Sequence, residues 1–184
     1  VGGWGESRVY QNDGTGQFTD ITEKTGLSSY NGSLVDRVKA AAISDLDNDG
    51  DQDIILSRFI DDASEDVLVY KNDGTGHFTP IKEAIQKKGV FDRAMPLTVA
   101  DFDKDGNNDV YVGFPGARDF TYLDSEPNPL QTQGLFLNNG EGMFRDESEK
   151  FGLNNSSVKA YPHASVKADF NGDGNIDLLI ADDR

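Results

Sequence analysis

The sequence predicts an all-β chain built as β-propeller blades of four antiparallel strands, because two units alternate along it, each three times. One unit is an apolar run ending in a glycine-rich turn: RVYQNDGTGQFTDI (8–21), VLVYKNDGTGHFTPI (67–81) and GLFLNNGEGMFRDES (134–148). The other is a strand, an acidic loop and a second strand: VKAAAISDLDNDGDQDIILS (38–57), LTVADFDKDGNNDVYVG (97–113) and SVKADFNGDGNIDLLIA (165–181). The turn unit recurs at Asn12, Asn72 and Asn138, 60 and 66 residues apart, and the loop unit at Asp45, Asp101 and Asp169, 56 and 68 apart. Four short strands per period of that length match propeller blades.

Taken in order, residues 1–30 form a half blade holding two outer strands, joined by the Asn-Asp-Gly-Thr-Gly turn. Glycine supplies the positive φ such a hairpin needs. Residues 31–90 form a complete blade, with strands expected near 38–44, 53–58, 66–71 and 77–81, rich in β-branched and aromatic residues. Residues 91–155 repeat it, and 156–184 form a second half blade with two inner strands. Ala40, Ala41, Ala42, Ala100 and Ala168 make the first strand of each loop unit small, as the innermost strand of a blade requires. Half, two and half make three blades, fewer than the four to eight that close a ring. The chain therefore reads as part of a larger propeller, or as one whose remaining blades come from another chain. Segments 22–27, 81–89 and 148–153 are read as short helical turns after the outer strands, and 115–133 as an irregular insertion with three of the six prolines.

The formal charge is −16, from 33 acidic and 17 basic residues. That balance excludes nucleic-acid binding, which needs a basic surface, and docking on anionic membranes. Twelve of the 33 acids lie in the three loops, so the acidity is site chemistry. Three Ca²⁺ ions would bring the charge to about −10. With no cysteine, disulfides, thiol catalysis and thiolate metal sites are excluded. No apolar run approaches the ~18 residues of a membrane-spanning helix. The chain opens on Val1 without a secretory leader and reads as a processed or partial segment.

Each loop follows the pattern D-x-[DN]-x-D-G-x-x-D, with oxygen ligands at alternate positions and a glycine at position 6 for the sharp turn. The ligand set is Asp45, Asp47, Asp49, Asp51 and Asp53 in the first loop, and Asp101, Asp103, Asp105, Asn107 and Asp109 in the second. In the third it is Asp169, Asn171, Asp173, Asn175 and Asp177. Position 7 (Asp51, Asn107, Asn175) offers its backbone carbonyl, and position 9 closes the site. One Ca²⁺ per loop, three in all, is expected, because this hard cation takes six to eight oxygens whereas Mg²⁺ keeps its waters. An EF-hand is excluded: it needs an acid at position 12, where Leu56, Val112 and Ile180 stand, and a following helix. The third loop, with Asn171 in place of an aspartate, is expected to bind more weakly.

These loops and the N-[DN]-G-x-G-x-F hairpins resemble the FG-GAP/VCBS repeats, which build the propeller of integrin α subunits and of many secreted bacterial proteins. The form LFLNNGEGMFRDESEKFGL (135–153) resembles repeats of ASPIC/UnbV-type and cartilage acidic proteins, and VGFPGA (112–117) is a loose version of the segment that names the family. The resemblance spans nearly the whole chain. It implies a Ca²⁺ loop between the first two strands of each blade. The first blade departs from the pattern at SRFIDD (57–62), which lacks Gly-Ala-Pro.

The expectation is a calcium-stabilised, non-catalytic module of recognition, adhesion or assembly. It would meet a protein or glycan through a propeller face or the 115–133 insertion, as a subunit or segment of a larger assembly. Loops of this kind fill at extracellular calcium levels, so a secreted, surface or periplasmic location follows. Asn31-Gly-Ser and Asn154-Asn-Ser match glycosylation acceptors. The alternatives are a carbohydrate-active enzyme, for which His163 before an inner strand is the candidate and His77 in a hairpin turn the weaker one, or a lectin whose ion ligates sugar hydroxyls. No G-x-S-x-G, P-loop or zinc motif supports catalysis.

Overall fold

A computed structural model describes residues 7–27, 35–60, 66–88, 93–115, 132–153 and 161–182. The described chain is all-β apart from one 3₁₀ turn at Thr22–Lys24. Strands β1 (Tyr10–Asn12) and β2 (Phe18–Asp20) make the first, two-stranded sheet. Strands β3 (Val38–Ser44), β4 (Asp53–Arg58), β5 (Val67–Asn72) and β6 (Phe78–Pro80) make a four-stranded antiparallel meander. The next sheet contains β8 (Leu97–Ala100), β9 (Asp109–Gly113), β10 (Gln133–Asn138) and β11 (Phe144–Asp146), and β12 (Pro162–Ala168) pairs with β13 (Asp177–Asp182) in the last. In chain order the described sheets thus hold two, four, five and two strands. Among the described residues no strand of the first sheet pairs with the last.

Alternation along each strand stacks these sheets face to face. Ile55 on β4 and Val110 and Val112 on β9 join Val67, Val69, Leu97, Val99, Phe114, Phe136 and Phe144 in one core between the two full blades. The neighbours Ile54 and Leu56 point the other way, with Leu68 and Tyr70, toward Val9 of the first half blade. Tyr111, between Val110 and Val112, packs with Leu135 and Leu137 against Leu178 and Ile180 of the last sheet. Period-two side chains buried on both faces are what a blade between two blades must have, and each such Val, Leu, Ile or Phe contributes ~1.5–3 kcal/mol. Strand β8 is flanked by β3 and β12, so the small-residue strands line up as the innermost ones.

One expectation for the connections changes. Residues 81–89 form no helix within their described part: Lys82 and Glu83 turn, with Glu83 at φ 56°, and β7 (Ile85–Gln86) pairs in parallel with β11 of the next blade. Ala84 is 1% exposed and accepts the Phe144 N–H at 2.7 Å, so burial against the neighbouring blade prevails over helical propensity. The second full blade consequently has five strands. The 22–27 segment contains the 3₁₀ turn as expected, and 148–153 is a hydrogen-bonded turn closed by Leu153 N–H on Ser148 O at 2.9 Å. Most of the 115–133 insertion, and both Asn31 and Asn154, lie outside the described residues.

Candidate metal centres

The three acidic loops connect β3 to β4, β8 to β9 and β12 to β13, the first two strands of each blade. They share one hydrogen-bond pattern. The position-6 glycine donates its N–H to the position-1 aspartate: Gly50 to Asp45 at 3.1 Å, Gly106 to Asp101 at 3.0 Å, Gly174 to Asp169 at 2.7 Å. The position-7 N–H meets the position-5 carboxylate: Asp51 to Asp49 at 2.9 Å, Asn107 to Asp105 and Asn175 to Asp173 at 2.8 Å. The position-2 N–H meets position 9: Leu46 to Asp53 and Phe102 to Asp109 at 2.9 Å, Phe170 to Asp177 at 2.8 Å. Gly50, Gly106 and Gly174 sit at φ 93°, 95° and 81°, which only glycine adopts freely.

Position 9 also ties the first two loops to the hairpins of their own blades. Asp53 accepts the Asn72 N–H at 2.8 Å, and Asp109 the Asn138 N–H at 3.0 Å. The turn asparagines reach back: Asn72 Nδ2 donates to Gln52 O at 2.9 Å and Asn138 Nδ2 to Asn108 O at 3.0 Å. Position 7 packs its side chain over the hairpin glycine, where a Cβ on Gly74 would lie 2.8 Å from Asp51 Oδ2 and one on Gly140 2.8 Å from Asn107 Oδ1. That side chain is thus turned to the hairpin, in keeping with a carbonyl ligand at this position. The recurrence of Asn12, Asn72 and Asn138 was visible in the sequence; the role of Asn72 and Asn138 as the clamp between hairpin and loop was not. Position 4 is left-handed in all three loops, at Asn48 (φ 61°), Lys104 (φ 63°) and Gly172 (φ 77°).

The carboxylates converge differently in the three loops. In the first, oxygens of Asp45, Asp47 and Asp49 lie within 4.8 Å of one another. Asp45 Oδ1 and Asp47 Oδ1 there are buried without a hydrogen-bond partner. Buried carboxylate oxygens without a partner are costly, and a cation offsets that cost. In the second loop, Asp101, Asp103 and Asp109 make the corresponding group. Burial, with the Asp103 and Asp105 charges adding to it, pushes Asp109 up to about 6 against the opposing N–H bonds of Asn138 and Phe102. Burial likewise raises Asp53. Asp105 borders a cleft of about 270 Å³ with Asp103, Leu137, Asn138 and Arg145. In the exposed third loop, Asp169, Asp173 and Asp177 do not form so tight a group, and Asn171 Nδ2 donates to Asp173 Oδ2 at 3.0 Å. The Gly174 N–H holds Asp169 below the ordinary aspartate value, and the Asn175 N–H, with Lys104 a lesser cause, does the same for Asp173.

Adjacent loops touch. Asn48 Nδ2 donates to Asn107 Oδ1 at 2.8 Å, Asn108 Nδ2 to Asp45 O at 3.2 Å, and Asn138 Nδ2 to Leu46 O at 2.8 Å. The first two candidate sites therefore lie side by side on one rim of the stacked blades.

The model of the FG-GAP-like repeat matches residues 1–56 and 45–112, more than half of the chain, and takes in the first two loops. The chain belongs to the FG-GAP-like repeat family. No curated protein matches it. Membership of this repeat family does not by itself name an activity. No helix among the described residues is long and apolar enough to cross a membrane. His163 lines a cleft of about 260 Å³ with Lys39, Met95, Pro96 and Ser165 between the innermost strands, and its ring lies 4.9 Å from that of Tyr161. His77 is exposed in its turn, packed beside Gly26.

Proposed function

We propose that this FG-GAP-like chain is an extracellular module whose blades are stabilised by calcium and whose role is recognition, adhesion or assembly without catalysis. The observation that carries the reading is the first loop, where three carboxylates converge and two of their oxygens are buried without a partner. Asp45, Asp47, Asp49, the Asp51 carbonyl and Asp53 would hold one ion there. Asp101, Asp103, Asp105, the Asn107 carbonyl and Asp109 would hold a second. Asp169, Asn171, Asp173, the Asn175 carbonyl and Asp177 would hold a third, more weakly. A bound ion supplies the positive charge that lets each loop keep its carboxylates together. The protein supplies the rest: glycine and asparagine N–H groups orient the carboxylates, and the turn asparagines lock loop to hairpin.

An ion bound at about 10 µM and supplied at about 1 mM adds ~2.7 kcal/mol, large beside the 5–15 kcal/mol of an ordinary domain. Sites of that strength fill outside cells and stay mostly empty in cytosol, which supports an extracellular location. The partner would be a protein or glycan on a propeller face or on the 115–133 insertion. A lectin is the second reading, favoured by the cleft that opens beside Asp103 and Asp105.

Calorimetric titration of the EDTA-stripped chain with Ca²⁺, with melting curves alongside, tests the reading. Uptake of about three ions and a melting temperature raised by more than about 10 °C is the expected result. No uptake, or uptake without stabilisation, overturns the structural role. Competition between simple sugars and calcium-dependent glycan binding would favour the lectin.

A further inference from the structure

The first two loops share a pattern but not their surroundings. Lys71, on β5 immediately before the turn asparagine, places its ammonium on Asp47 Oδ2 and 3.0 Å from Asp49 Oδ2. The same position before the turn of the next blade is Leu137, which lines the open cleft beside Asp103 and Asp105. Position 7 differs too, with Asp51 in the first loop and Asn107 in the second. The first loop thus carries one aspartate more and a lysine facing its position-3 and position-5 ligands. Counting acids alone ranks the first loop as the tighter calcium site.

We propose that Lys71 is a tethered counter-cation of the first loop, which holds Asp47 and Asp49 together without metal and weakens that loop for calcium, so that the second loop fills first. The inference rests on the metal reading of the loops. Its physical basis is that an ammonium and a divalent ion sharing Asp47 and Asp49 repel each other at a few ångströms. Calcium must either displace Lys71, which costs its two ion pairs, or bind beside it. Lys71 is 48% exposed, so solvent screens part of this effect, and about a tenfold change in affinity is expected rather than many orders.

The Gly50 and Gly106 N–H groups, each bonded to the position-1 aspartate of its own loop, report the two sites separately in amide NMR spectra. In the full chain stripped with EDTA and titrated with CaCl₂, the Gly106 signal should move at lower calcium than that of Gly50. In K71L, which copies Leu137, and in K71Q, the Gly50 midpoint should fall about tenfold while that of Gly106 stays. In EDTA at low salt both variants should melt about 3 °C lower, because the carboxylates lose their counter-cation. A Gly50 midpoint that is unchanged or higher in both variants overturns the proposal. If calcium moves neither glycine in the wild-type chain, it is the metal reading that fails. Melting in EDTA then decides the role of Lys71: a fall supports the counter-cation, and no fall overturns it.

Discussion

Asp109 shows most directly how a single residue couples the loop to the rest of the blade. It is fully buried, receives N–H bonds from Phe102 and Asn138, and lies near the charges of Asp103 and Asp105. With its carboxyl raised to about 6 when folded, against about 3.9 unfolded, the folded state keeps this proton longer. The stability linked to it is therefore complete below about pH 4 and is lost as pH rises to about 6 in metal-free protein. Carboxyl ¹³C titration in EDTA should show a midpoint near 6, and adding calcium should drive that midpoint below the ordinary aspartate range. A midpoint that calcium does not move would remove Asp109 from the ligand set. The D-x-[DN]-x-D-G-x-x-D spacing made every such candidate legible beforehand, because alternation and the position-6 glycine are local properties. Lys71 was not legible: it lies 24 residues from Asp47, and only strand pairing brings it there.

The hairpin turn is the element that converts those residues into a rigid unit, and its three copies differ by context. Asn138 is 4% exposed and bonds its own loop through Asn108 O, the preceding blade through Leu46 O, and its own turn through the Gly140 N–H at 3.0 Å. Asn12 stands in an equal turn, but among the described residues its side chain bonds only Gly14 and Gly16, and it is exposed. Replacing Asn138 by Ala should cost about 2–4 kcal/mol, since it leaves buried carbonyls without donors. Replacing Asn12 by Ala should cost under ~1 kcal/mol by the same principle, and urea unfolding of the two variants compares them. Equal losses would deny the inter-blade clamp. The sequence showed both turns but not this difference, which depends on which blade stands next to which. It also missed β7, because a two-residue parallel pairing leaves no period to detect, and IKEAIQKKG satisfies a helical reading equally well until Glu83 turns the chain at φ 56°.

At the scale of the whole molecule, alternating units predicted alternating blades, and that alternation is what the cores require. Each full blade buries side chains on both faces, so the row is cooperative only where a neighbour is present. Leu46 at position 2 of the first loop is 1% exposed beneath the next blade, whereas Phe170 at position 2 of the third loop is 59% exposed. The same row carries a formal charge of −16, with its first two loops side by side, Asn48 against Asn107 and Asn108 against Asp45. Self-repulsion of that charge opposes the compact state, and it is greatest where the carboxylates are packed most densely. Raising NaCl from about 20 to 500 mM shortens the screening length from roughly 20 Å to about 4 Å. Metal-free protein should therefore gain melting temperature with salt. Calcium-loaded protein, with about six charges neutralised where the density is highest, should gain much less. The difference between the two salt slopes separates loop repulsion from the general acidity of the surface. Equal slopes would place the repulsion outside the loops and would mean that the ions, if bound, act through geometry alone.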